Sequence, residues 1–178
     1  MIEKKGILLV CISIFLVNLV SAQTYRYIGA GKCKSCHNRS EAGEQYNKWL
    51  KDPHSQALKL LSGEVSMDYA KKNGIDDPSK EAKCLKCHST YEAAGAAYCA
   101  SILATEGVSC ESCHGPGSAY KEIPLMRDQK QAVDNGLLIP DAKLCQKCHN
   151  EESPFFKEFN YETSCEKIAH PIINKGQH

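Results

Sequence analysis

Residues 108–120 read VSCESCHGPGSAY. Two residues separate Cys110 from Cys113, and His114 follows the second cysteine directly. The Gly-Pro-Gly sequence that comes next predicts that a helix carrying these residues ends just beyond the histidine. The same order, C-x-x-C-H, occurs four times in the chain.

The four copies predict four covalently attached haem c groups. Two thiols at this spacing reach the two vinyl groups of one haem, and the adjacent histidine then lies under the ring as the proximal iron ligand. The cysteines predicted to attach haem are Cys33, Cys36, Cys84, Cys87, Cys110, Cys113, Cys145 and Cys148. The predicted proximal ligands are His37, His88, His114 and His149.

Other chemistries of paired cysteines fit this pattern less well. Zinc accepts C-x-x-C pairs but does not require a histidine after every second cysteine. Four disulfides of this spacing would close only very small loops. A redox dithiol is typical of a single motif within a βαβ unit, which this sequence does not show.

The N-terminal 22 residues are typical of a secretory signal peptide. Lys4 and Lys5 precede a 14-residue apolar run at 7–20, and Val20 and Ala22 suit a cleavage site. A membrane-spanning helix needs about 20 residues, although an uncleaved anchor is the alternative. We therefore expect a tetrahaem domain over 23–178 in the periplasm, with the cell surface or the extracellular space as alternatives.

The composition of residues 23–178 narrows the class of protein. Its 20 basic and 20 acidic residues balance, so no basic stripe indicates a nucleic-acid partner. No segment after the signal peptide is apolar enough to span a bilayer. Four haems in 156 residues leave 39 residues for each cofactor. We predict a mostly α fold of short helices and loops wrapped around four haems, which form most of the core.

Four irons have eight axial positions, whereas the chain has seven histidines. After the four proximal ligands, only His54, His170 and His178 remain for the distal positions. At least one iron therefore lacks a second histidine from its own chain.

His54 is a candidate distal ligand. The segment 38–61 predicts two helices, the first capped by Asn38 and the second by Asp52. His54 shares the apolar face of the second helix with Leu58, where a histidine is usually a core residue. Because haem forms this core, we predict ligation.

Three further side chains are weighed as ligands. Asn160 predicts a helix that brings His170 to its end, where the alternatives are a distal ligand or a solvated side chain. His178 is the last residue, where a chain usually frays, although it could reach a neighbouring subunit. Met126, on a helix predicted to end at Asn135, is a candidate thioether ligand or a gap-filling side chain.

Two cysteines lie outside the motifs, and their state is left open. Cys99 and Cys165 fit either a disulfide or two buried thiols. Lys34, Lys86 and Lys147, within the motifs, fit solvated charges, partners of haem propionates or contacts to another protein.

The stretches YIGAGKCKSCH, KWLKDPHSQAL, CLKCH and GVSCESCHGPGS, with a fourth motif and a late histidine, resemble the tetrahaem cytochrome c-554 family. The resemblance implies a mostly helical fold with haems stacked in close pairs. It also implies electron transfer in the periplasm, where the best-known members accept electrons from hydroxylamine oxidoreductase.

The resemblance implies a ligand set as well. It places His54 opposite His114 and His170 opposite His149, and it leaves the haem held by His88 five-coordinate.

The chain departs from the family at the haem held by His37. The family carries the distal histidine of this haem shortly after the Gly-Pro-Gly turn, where this chain offers Tyr120 and Met126. Two irons, rather than one, are thus candidates to lack a second histidine.

These features predict an electron-transfer protein that works between a donor oxidoreductase and a downstream acceptor. One alternative is an enzyme that reduces a small ligand such as nitric oxide at an open iron position. The other is a subunit of a haem-wired filament that receives a histidine such as His178 from a neighbouring chain.

Overall fold

In a computed structural model, which describes residues 25–170, the chain folds almost entirely into short helices joined by turns. The first five helices are α1 (Ala30–His37), α2 (Gln45–Lys51), α3 (Ala57–Leu60), α4 (Glu64–Asn73) and α5 (Ala82–His88). The others are α6 (Thr90–Ala94), α7 (Cys110–His114), α8 (Ile123–Arg127), α9 (Gln129–Asp134), α10 (Ala142–Cys145) and α11 (Tyr161–Ile168). The mostly α fold expected from the sequence is confirmed.

Side-chain caps start many of these helices and explain why such short segments are helical. Ser109 accepts a hydrogen bond from the backbone N–H of Glu111 at the start of α7. Asp141 caps α10 and Asn160 caps α11 in the same way, each through the third residue beyond it. Each cap satisfies a backbone donor that a helix start leaves unpaired.

Two helix predictions were wrong in position. Asn38 does not begin a helix but ends α1, and its backbone N–H donates to the carbonyl of Lys34 at 3.1 Å. Gly43 and Glu44 then turn the chain with positive φ, so α2 starts only at Gln45. Further on, Asp128 is extended and caps α9, which separates Met126 on α8 from the helix that follows.

The polypeptide's own core is small. Of the nine buried apolar residues in 25–170, four are alanines, and twelve large apolar side chains are exposed. An apolar surface this extensive is unusual for a chain without an apolar cofactor, so the packing fits a core shared with haem. Among residues 25–170, no helix is long and apolar enough to cross a membrane.

The segment before α1 pairs with the segment around Cys99 through backbone hydrogen bonds. Tyr27 and Cys99 form an isolated parallel β-bridge, and the N–H of Tyr27 donates to the carbonyl of Tyr98 at 2.8 Å. A second hydrogen bond completes the bridge: the N–H of Ala100 donates to the carbonyl of Tyr27 at 2.8 Å. This pairing places the start of α1 beside the loop that precedes the third motif.

Candidate haem-binding site

Each C-x-x-C-H motif begins within a helical turn. The first, second and third motifs end α1, α5 and α7 at their histidines, whereas α10 ends at Cys145 and the fourth motif continues as a turn. Helical spacing puts residues three apart on one face, as two thioether bonds to one ring require. Beyond His114, Gly115 adopts a φ of 76° and ends α7, as the sequence predicted.

The four motifs meet in two pairs. Helix α1 packs against α7, with Cys33 close to Cys110, which brings the first motif against the third. Cys87 lies close to Cys148, so the second motif lies against the fourth. An ion pair between Lys86 and Glu152 supports this second contact.

Four of the histidines form two close pairs with nearly perpendicular ring planes. The ring centroids of His54 and His149 lie 5.9 Å apart with the ring planes at 84°. The rings of His114 and His170 repeat this arrangement at 5.9 Å and 82°.

These separations suit an iron atom between the two rings of each pair. Two nitrogens that bind one metal from opposite sides, each about 2 Å away, place their ring centroids about 6 Å apart. Phe159 stacks on His149 at 4.8 Å, and the same residues border a cavity of about 150 Å³. The residues present therefore fit bis-histidine haem at both pairs.

Hydrogen bonds at Nδ1 orient several of these imidazoles. His88 faces the carbonyl of Ala57 at 2.7 Å, and His114 faces that of Leu138 at 3.3 Å. His170 faces the carbonyl of Ile168 at 2.9 Å. A carbonyl accepts a hydrogen bond from Nδ1–H, which places the proton on Nδ1 and leaves the lone pair of Nε2 free for a metal.

His54 is the exception, because its Nδ1 faces a carboxylate. Asp52 Oδ1 lies 2.7 Å from the ring nitrogen and also accepts the backbone N–H of His54 at 2.9 Å. The sequence predicted Asp52 only as a helix cap.

The structure reverses the partners that the resemblance implied: His54 lies beside His149, and His170 beside His114. The segment 138–140 explains the second pair, because it contacts both elements. The N–H of Leu138 donates to the carbonyl of His114 at 2.9 Å, and the hydroxyl of Tyr161 donates to Pro140 at 3.1 Å. This segment thereby holds α11, and His170 at its end, next to α7.

The remaining ligand candidates are not brought into such pairs. His37 and His88 have no second histidine stacked against them within residues 25–170. Met126 lies half-buried on α8, and its role as an axial ligand stays a prediction. His178 and the predicted signal peptide lie outside the described residues.

The two cysteines outside the motifs are free thiols rather than a disulfide. Cys99 Sγ donates to the carbonyl of Gly95 at 3.4 Å, beside the β-bridge. Cys165 lies on α11 and interacts with Tyr161. Different elements thus hold the two thiols.

A buried carboxylate between the two cysteines of the third motif was not foreseen. Glu111 is 2% exposed and accepts the backbone N–H groups of Ile28, Gly29 and Gly117 at 2.6–3.0 Å. Burial raises the pKa of Glu111, and these N–H groups partly offset that rise. Glu111 therefore ties the chain before α1 to the turn after α7. Nothing in the local sequence indicated it, because its hydrogen-bond partners come from other segments of the chain.

The hydroxyl of Tyr120, which the sequence offers near the predicted haem of His37, has other partners. It donates to the carbonyls of His114 and Gly115 at 2.9 and 2.8 Å, and the side chain is buried. It thus fixes the turn after α7.

Four C-x-x-C-H turns that meet in pairs, with imidazoles facing one another across the space for a metal, define a multihaem c-type cytochrome. Comparison with known proteins places it more closely. The family model for cytochrome c554 and c-prime matches residues 32–115. Cytochrome c-554 of Nitrosomonas europaea is 30% identical over 145 residues, which is 76% of this chain and 59% of that protein.

A solved structure shows the same fold. Reduced cytochrome c554 from Nitrosomonas europaea superposes with a TM-score of 0.53 at 23% identity, covering 81% of this chain and 78% of the other. The chain therefore resembles the cytochrome c554 family in both sequence and fold, and it carries four covalently bound haem c groups. It spans 59% of the length of the curated relative it matches.

Proposed function

We propose that this chain carries electrons, one at a time, between redox partner proteins in the periplasm. The observation that carries this proposal is the two histidine pairs, each with 5.9 Å between ring centroids. Haem supplies a metal that accepts and returns one electron without forming or breaking a bond. Two strong ligands on one iron leave no position for a substrate, as suits a carrier.

The contacts between motifs support electron transfer from one haem to the next within the protein. Cys33 lies against Cys110 and Cys87 against Cys148, so the first and third haems, and the second and fourth, are held close together. We infer a donor oxidoreductase and a downstream acceptor as partners, since a carrier needs both. The apolar run at 7–20 supports export.

Variants of the distal histidines test this proposal. His54→Ala and His170→Ala should each convert one low-spin haem of the oxidised protein to high spin, because each removes one of two imidazole ligands. EPR of the purified holoprotein measures both species. Lys59→Ala, an exposed change close to His54, should keep both low-spin signals. Two low-spin signals in both histidine variants would rule out the ligand pairs.

A second function is favoured because, within residues 25–170, no second histidine ring pairs with His37 or His88. An iron held by a single histidine has an open position, where a small ligand such as nitric oxide could be reduced. Nitric oxide reduction would draw electrons from the same donor that serves electron transfer.

The number of carbon monoxide molecules that the reduced protein binds per chain gives the number of such open positions. If Met126 binds the iron of the His37 haem, the wild type takes up one carbon monoxide per chain, at the His88 haem, and Met126→Leu takes up two. Met67→Leu, on the exposed face of α4, is the matched control and should still take up one. Difference absorbance spectra give the count. No uptake by the wild type would exclude an open position, and uptake of two would exclude Met126 as a ligand.

A further inference from the structure

We propose that Asp52 lowers the reduction potential of the haem between His54 and His149, below that of the haem between His114 and His170. This inference rests on the ligand pairs proposed above. Of the four imidazoles whose Nδ1 partner is described in residues 25–170, three face backbone carbonyls, and His54 alone faces a carboxylate.

The contact between Asp52 and His54 is short and sheltered. The Oδ1 to Nδ1 distance is 2.7 Å, and the side chains are 15% and 33% exposed, respectively. No Lys or Arg within residues 25–170 forms an ion pair with Asp52, so its charge acts on the imidazole. A hydrogen bond to a charged group is shorter and stronger than one to a neutral carbonyl.

The surrounding chain holds this geometry in place. The N–H of Val108 donates to the carbonyl of His54 at 2.9 Å, and the indole N–H of Trp49 donates to Val108 at 2.8 Å. Gly107 packs so closely that a Cβ there would lie 2.7 Å from the carbonyl oxygen of His54. The loop before the third motif therefore fixes the backbone of the histidine, and Asp52 fixes its ring.

A carboxylate at Nδ1 strengthens the bond that Nε2 makes to a metal. Asp52 draws the Nδ1 proton towards itself, which raises the basicity of the ring. A more basic ligand, with a negative charge close by, stabilises the oxidised metal over the reduced one. Electrons that enter the chain should therefore occupy the haem of His114 and His170 before that of His54 and His149.

Asp52→Asn tests the inference with little disturbance of the fold. Asparagine caps a helix as well as aspartate and keeps an oxygen within reach of His54, but it carries no charge. At a fixed ambient potential, the ratio of reduced to oxidised haem at this site should rise about tenfold, or about 59 mV for one electron. Low-spin EPR signals recorded during a potentiometric titration report the ratio at each histidine pair.

Asp141→Asn is the matched control. Asp141 also caps a helix, accepts the N–H of Leu144 at 2.8 Å, and lies near Cys145 of the same predicted haem, but it touches no axial histidine. It should change the ratio less than about twofold, because an exposed charge is well screened.

Two results would overturn the role of Asp52. One is an equal shift in both variants, and the other is loss of the low-spin signal in Asp52→Asn. Asp52→Ser, which keeps a capping oxygen too short to reach the ring, should shift the ratio at least as far as asparagine. Failure of the ligand pairs themselves would appear separately, as a His54→Ala variant that keeps every low-spin signal of the wild type.

Discussion

A chain in which serine replaces both Cys110 and Cys113 should fail to accumulate as a folded cytochrome. Without the two thiols the third haem has no covalent attachment, and its apolar faces leave the core. The nine buried apolar residues of 25–170, four of them alanines, are too few to replace it. Because cofactor attachment supplies the folding free energy in such a chain, we expect haem-bearing protein to fall about tenfold or more.

The measurement is the haem content per polypeptide and the yield of intact holoprotein, by absorbance and mass. Cys99→Ser and Cys165→Ser are the matched controls, because both remove a free thiol outside the motifs. Serine at position 99 can still donate to the carbonyl of Gly95. Both controls should keep four haems. A double variant of the third motif that also keeps four would disprove the attachment.

The features that the sequence predicts well are those set by local spacing. Cys110, Cys113 and His114 lie on one helical turn because of their separation along the chain, and Gly115 ends that turn because it tolerates a positive φ. The shortage of histidines follows from counting alone. The helix cap at Asn160 could likewise be predicted, since its side chain accepts a hydrogen bond from the backbone N–H of a residue only three positions away.

The features that the sequence could not predict depend on distant segments. Whether His170 faces His114 or His149 depends on how the segment 138–140 holds α11 against α7. The charge next to His54 is visible only once the ring orientation is known, because a capping aspartate usually serves the backbone alone. The start of α2 was misplaced because Glu44 adopts a left-handed conformation that its residue type rarely takes.

The second large effect is expected at Glu111, where a single buried side chain joins two ends of the fold. Both carboxylate oxygens accept backbone N–H groups: Oε1 those of Ile28 and Gly117, and Oε2 those of Ile28 and Gly29. Glutamine has nearly the same shape but only one accepting oxygen. Its amide N–H₂ would face a backbone N–H, so at least one buried donor would lose its partner.

Glu111→Gln should therefore lower the free energy of unfolding by about 3 kcal/mol, since a hydrogen bond to a charged group contributes about 1.5–3 kcal/mol and a buried donor left unpaired costs a similar amount. For a chain of this size the melting temperature should fall by about 10 °C. Thermal unfolding of the holoprotein, followed by circular dichroism, gives both values. Glu92→Gln, at an exposed position on α6, is the control and should melt within about 2 °C of the wild type. Equal melting temperatures for the two variants would show that the chain before α1 is held to the third motif by other contacts, such as that between Cys33 and Cys110.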